Sequence, residues 1–131
     1  VSVSFRAAYT SDPRNVALAR EAVAKFARLC GFEEAAVADI RLAAGEALSN
    51  AAEHGLDERR GGFSIRCEFD AGVLTVEIQD SGRGFHPAVD DCMPPDPRGR
   101  GFGIFLMRRL MDSVTFARNG TCVRLTRRIA G

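Results

Sequence analysis

Hydrophobic residues change their period near the middle of this chain. Val16, Val23, Ala27 and Cys30, then Ile40, Ala44, Ala47, Leu48 and Ala51, return at helical spacing. Phe63, Ile65, Cys67 and Phe69, then Leu74, Val76 and Ile78, return at every second position. A 3.6-residue period buries one stripe of a helix and a two-residue period buries one face of a strand, so neither pattern can stand in for the other. The first pattern predicts a helix that starts at Ser11-Asp12-Pro13, where an N-cap candidate precedes a proline in the first turn, and stops at Gly31. A second helix follows from about Glu33 to His54, ended by Gly55. The second pattern predicts a β-hairpin turning at Asp70-Ala71-Gly72.

The flanks fit around that centre. Val1, Val3 and Phe5 alternate with Ser2, Ser4 and Arg6, as in a half-buried strand. Pro87, Pro94, Pro95 and Pro97 keep residues 86–100 as loop. A helix is expected from about Gly103 to Met111. Val114-Thr115-Phe116 and Val123-Arg124-Leu125 then flank Asn119-Gly120, a strong hairpin signal. The order β-α-α-β-β-loop-α-β-β implies an α/β (α+β) two-layer sandwich, with a mixed, mostly antiparallel sheet covered on one face by about three helices. With 131 residues, 46% of them hydrophobic, the chain is read as one domain over residues 1–131 with a real core.

Charge narrows the function classes. Eighteen Lys+Arg against seventeen Asp+Glu leave a formal net of +1, which argues against a partner recognised by bulk charge, so neither nucleic acid nor an anionic membrane is expected. No apolar run approaches the roughly 20 residues of a membrane span, and nothing near Val1 reads as a signal peptide. Cys30, Cys67, Cys92 and Cys122 are scattered singly, and with two histidines they build no metal cluster of usual spacing. A reduced, cytoplasmic protein is the expectation. Lys25 is the single lysine, so a cationic side chain on a phosphate would be an arginine. The start at Val1 leaves room for a piece of a longer protein.

Three motifs carry chemistry. In Glu46-Ala-Leu-Ser-Asn50-Ala-Ala-Glu-His54, the residues Glu46, Asn50 and His54 form one helical stripe that flanks the apolar face. An Asn amide oxygen there can ligate Mg²⁺, and a carboxylate one turn away can orient or deprotonate an attacking group. A helix with polar residues at its boundary is the plain alternative. In Asp80-Ser-Gly82-Arg-Gly84-Phe85, Asp80 keeps the phase of Leu74, Val76 and Ile78 and so points to the buried side. A buried carboxylate needs a donor, and the exocyclic amine of adenine would suit it, although an Asp-Gly turn alone reads the same way. In Arg98-Gly99-Arg100-Gly101-Phe102-Gly103, glycines run straight into an apolar helix, whose N-terminal N–H groups and dipole favour phosphate. A hinge is the alternative there. The motif is neither a Walker A loop nor a Rossmann fingerprint.

In this order the three motifs resemble the GHKL superfamily of ATPases, with its Bergerat-type ATP-binding fold, over nearly the whole chain. Glu46…Asn50 looks like the N box, Asp80 to Phe85 the G1 box and Gly99 to Gly103 the G2 box, with the ATP lid at about 86–100. Within the superfamily the chain is most similar to bacterial anti-sigma-factor serine/threonine kinases. An opening strand followed by Asp12-Pro13-Arg14, the Gly45–Gly55 segment, and the tail from Phe105 to Val114 with Asn119-Gly120-Thr121 carry that likeness.

The resemblance implies Mg-ATP binding. Glu46 would be the general base toward a protein serine or threonine hydroxyl, and Asn50 would bind Mg²⁺. Asp80 would accept from the adenine amine in a pocket shaped by Gly82 and Gly84, with Thr121 on the adenine side. Gly99, Gly101 and Gly103 would cradle the phosphates with Arg98 or Arg100. His54 would orient Asn50 or cap the helix. Partners implied are an anti-anti-sigma STAS-type protein as substrate, a sigma factor, and a second copy in a homodimer. The alternatives are a non-catalytic nucleotide-responsive partner-binding module, and the ATP-binding domain of a histidine kinase or larger regulator.

Overall fold

The computed structural model describes residues 2–55, 61–80, 102–117 and 121–130. In chain order these form β1 (Val3–Thr10), α1 (Pro13–Leu29), α2 (Glu34–Gly55), β2 (Gly62–Asp70), β3 (Val73–Asp80), α3 (Phe102–Leu110), β4 (Ser113–Ala117) and β5 (Cys122–Arg128). The strands make one sheet in the order β1-β2-β3-β5-β4.

All four pairings are antiparallel, which corrects the expectation of a mixed sheet. The cause is the strand order. A strand–helix–strand passage from β3 through α3 leaves β4 running parallel to β3, but β5 inserts between them and pairs with both. The α1–α2 hairpin likewise runs out and back, so β2 begins at Gly62 opposite Thr10, where β1 ended.

One face of the sheet carries the core. Ile65, Cys67, Leu74, Val76, Ile78 and Leu125 are buried there against Ala19, Val23 and Ala27 of α1, Ile40, Ala44 and Leu48 of α2, and Ile104 and Met107 of α3. Small residues on α1 and α2 let the helices lie close to each other. Burial pushes the Cys67 thiol up to about 12, with the charge of Cys30 adding to the effect, so Cys67 behaves as a small hydrophobe. Val3 departs from the expected alternation: it is 50% exposed, because β1 is an edge strand and its inward residues begin at Phe5.

The other face is open and polar. Arg66 pairs with Glu77 at 3.5 Å and Arg124 pairs with Glu77 at 3.3 Å, neighbours across three strands. A groove of about 550 Å³ on this face is lined by Arg6, Ser64, Arg66, Gln79 and Cys122 among others, away from the helices.

Local chemistry sets the element ends. Asp12 is the N-cap of α1, its side chain accepting from the Arg14 N–H at 2.9 Å, and the Arg14 guanidinium holds its carboxyl below the usual carboxylate range. At the other end Gly31, with φ +101°, donates to the Arg28 carbonyl, and Phe32 donates to the Ala27 carbonyl. That is a Schellman motif, and only glycine enters this backbone region without strain. The β2–β3 turn places Ala71 at φ 51° and Gly72 at φ 80°, the two-residue hairpin geometry that matches strand twist. The Asn119-Gly120 hairpin signal lies outside the described residues, although β4 and β5 pair as it requires, with Ala117 opposite Cys122.

Candidate functional site

The registers define two ends of the sandwich. At one end β1, β3 and β4 finish, β2 and β5 begin, α1 and α3 start and α2 stops. The described candidate residues come from this end or from the half of α2 that leads to it: Glu46 and Asn50 on α2, Asp80 at the end of β3, Gly103 in the first turn of α3, and Thr121 just before β5.

Asp80 is 7% exposed and is the buried charged residue among those described. It is placed by the alternation of β3, whose residues 74, 76, 78 and 80 all face the helices. Its strand lies centrally, with Phe63 of β2 on one side, while its backbone N–H donates to the Thr121 carbonyl at 2.8 Å on the other. Continuing the β3–β5 register puts Asp80 and Thr121 opposite one another on the helix-facing side. A buried carboxylate with a half-buried threonine opposite it places acceptor oxygen at this end of the sheet, the chemistry that an amino-substituted flat ring needs.

Glu46 and Asn50 are half-buried, at the margin of the α2 face that buries Ala43, Ala47, Leu48 and Ala51. A third element reaches them. A Cβ built on Gly103 would stand 2.9 Å from Glu46 Oε2 and 3.7 Å from Glu46 Cβ. The first turn of α3 therefore rests on the Glu46 carboxylate, and glycine at 103 is what lets it approach. This brings a proton-accepting group beside a helix N-terminus, where unpaired N–H groups and the positive dipole end attract anions.

Oxygen chemistry suits a hard cation at this place. No group of three or more His, Cys, Asp or Glu among the described residues makes a metal cage by itself. Mg²⁺ is commonly held by one or two protein oxygens with the rest supplied by phosphate and water, and the Asn50 amide oxygen fits that role. Gly82, Gly84, Arg98, Gly99, Arg100 and Gly101, together with the 86–100 lid, lie outside the described residues, as does the His54 side chain.

One residue that no sequence motif marks lies at the opposite end of α3 from the site. Arg127 follows Val123 and Leu125 in the helix-facing phase of β5, and its Nη1 donates to the Leu110 carbonyl at 2.5 Å and to Asp39 Oδ2 at 3.3 Å. An arginine in a buried strand phase is the signal that marks it.

Among the described residues no helix is long and apolar enough to cross a membrane. The family profile of the histidine kinase-like ATPase domain matches residues 9–127. The chain is 30% identical over 129 residues to an anti-sigma F factor of Clostridium botulinum (strain Eklund 17B / Type B), covering 92% of this chain and 90% of that one. It is 29% identical over 132 residues to the serine-protein kinase RsbW of Bacillus velezensis, covering 92% and 82%. A crystal structure of the RsbU and RsbW domains of a Mycobacterium tuberculosis protein has the same fold, with TM-score 0.70 and 15% identity. That match covers 97% of this chain and about a third (32%) of the other.

Proposed function

The chain belongs to the histidine kinase-like ATPase domain family, alongside anti-sigma F factors, and on that premise we propose that it is an ATP-dependent protein serine/threonine kinase of the anti-sigma type. Its substrate is a hydroxyl of an anti-anti-sigma (STAS-type) protein, and it sequesters a sigma factor, acting as a homodimer in the cytoplasm. The observation that carries the reading is the Glu46–Gly103 contact. It sets a carboxylate against the helix N-terminus that would face phosphate.

Each residue then has work suited to its surroundings. Asp80, buried at the end of β3, accepts from the adenine amine, and Thr121 lies beside it on the adenine side. Backbone N–H groups at the start of α3, with Gly99, Gly101 and Arg98 or Arg100, hold the phosphates. Asn50 offers its amide oxygen to Mg²⁺. When bound, Mg-ATP supplies the phosphoryl group, and the metal offsets its negative charge. Glu46 takes the proton from the attacking hydroxyl, a role that requires reach and a basic oxygen more than bond-making.

A calorimetric titration of ATP and ADP, with and without Mg²⁺, on wild type and Asn50→Ala, followed by transfer to a STAS-type protein by wild type and Glu46→Gln, tests this. Magnesium-dependent binding that Asn50→Ala weakens, and acid-stable phosphoprotein that Glu46→Gln reduces about 10²–10⁴-fold with nucleotide still bound, is the expected result. Binding without transfer by wild type points instead to a nucleotide-responsive partner-binding module. An acid-labile product points to a histidine kinase.

A further inference from the structure

Helices α2 and α3 pack through the core, and two further features mark the ends of their contact. At one end Glu46 of α2 meets Gly103 of α3; at the other, Arg127 Nη1 joins Asp39 of α2 to the carbonyl of Leu110, the last residue of α3. Asp39 and Glu46 are seven residues apart, and so are Gly103 and Leu110. The helices are thus antiparallel and bracketed by two contacts about two turns apart, roughly 10.5 Å along each axis.

The two brackets differ in kind. The Gly103 contact is a steric approach with no described side chain fixing it. The other end of α3 is tied down: Asp112 donates its N–H to the Thr126 carbonyl at 2.8 Å and accepts from the Arg128 N–H at 2.5 Å, and Arg108 donates to the Val114 carbonyl at 3.2 Å. Those ties fix α3 to β4 and β5. Among the described polar ties of this end, Arg127 also reaches α2, adding a directional contact to the apolar packing of Ile104 and Met107. Its side chain is 23% exposed, so the bridge is only partly screened by water.

We propose that Arg127 is a positioning residue. By bridging Asp39 and the C-terminal carbonyl of α3, it sets the sliding register of α3 along α2, and through that rigid nine-residue helix the approach of Gly103 to Glu46. The functional consequence rests on the nucleotide reading above. Arg127 acts on the phosphate side, which α3 carries, and leaves the adenine side at Asp80 and Thr121 untouched. A merely structural arginine would affect both sides alike.

The test compares wild type, Arg127→Gln, Arg127→Ala and Arg127→Lys by affinity for ADP against adenosine and by backbone amide resonances of the ligand-free proteins. Arg127→Ala and Arg127→Gln are expected to lose about tenfold in ADP affinity with adenosine affinity within about twofold, and Arg127→Lys, which still donates, to recover most of the loss. Equal loss for ADP and adenosine, or no loss for either in a folded variant, overturns the proposal while leaving the kinase reading standing. If wild type binds neither ligand, the kinase reading fails. The resonances then decide alone: a displaced Gly103 amide with unmoved Asp80 and Thr121 amides supports the positioning role, and an unmoved Gly103 amide overturns it. Should Arg127→Ala not fold, Arg127→Gln carries the same comparison.

Discussion

The two ends of the sandwich are built on different principles. At the end away from the candidate site two of the chain reversals, α1 to α2 and β2 to β3, are shaped by their own residues. Gly31 and Phe32 cap α1, Ala71 and Gly72 turn the hairpin, and the Ile129 N–H donates to the Gly72 carbonyl at 2.8 Å. At the site end the important neighbours are far apart in sequence: Glu46 with Gly103, and Asp80 with Thr121. The first end combines local caps and turns with hydrogen bonds from the end of β5. The second is assembled by sheet order and helix packing, and it holds the buried carboxylate of Asp80.

Substitutions sharpen or break that contrast. Gly103→Ala drives a methyl toward Glu46 Oε2, and because the carboxylate is the mobile end of its side chain it moves aside at little cost to folding. Phosphoryl transfer is expected to fall by about a hundredfold through misplacement of the base, with the melting temperature nearly unchanged. Parallel rate and thermal-melt measurements check it, and a large loss of stability without loss of rate would place Gly103 in the scaffold. Asp80→Asn keeps the shape but exchanges an acceptor oxygen for a donor. Calorimetry should show about ten- to a hundredfold weaker adenine-nucleotide binding, and unaltered affinity would remove Asp80 from the adenine pocket.

The far end should respond in the opposite sense. Gly31→Ala forces a Cβ into the φ +101° region and should cost about 1–2 kcal/mol by urea denaturation, with nucleotide affinity retained. Weakened nucleotide binding in that variant would mean the ends are coupled more tightly than their contacts indicate. The smallest effect is expected of Ala71→Asn. Asparagine tolerates φ 51° and makes the preferred Asn-Gly turn, so the denaturation midpoint should rise by the equivalent of about 0.5–1 kcal/mol; a fall would show that Ala71 is not strained.

Much of this was legible in advance for local reasons. The period change locates α1, α2 and both hairpin strands to within a residue or two, because burial of one face depends only on spacing, and the glycine-rich segment running into apolar residues places α3 as closely. Asp80 was read as buried from its phase with Leu74, Val76 and Ile78, and it is. Glu46 and Asn50 were read at the margin of the core, and they lie there. The element order suggests a mixed, mostly antiparallel sheet, and nothing local says that β5 slips between β3 and β4, which run parallel to one another. The Arg127 bridge was missed for the same reason: its partners Asp39 and Leu110 lie 88 and 17 residues away.

Local sequence thus suffices for the helices, the central hairpin, their buried faces, and the cap and turns at Asp12, Gly31 and Gly72. Those follow from steric and hydrophobic rules acting over a few residues. Tertiary structure alone decided the order of strands, the antiparallel setting of α3 on α2, and the meeting of Glu46 with Gly103. Such contacts depend on how two already formed surfaces fit, and that fit is a property of the packed layers rather than of any one stretch of chain.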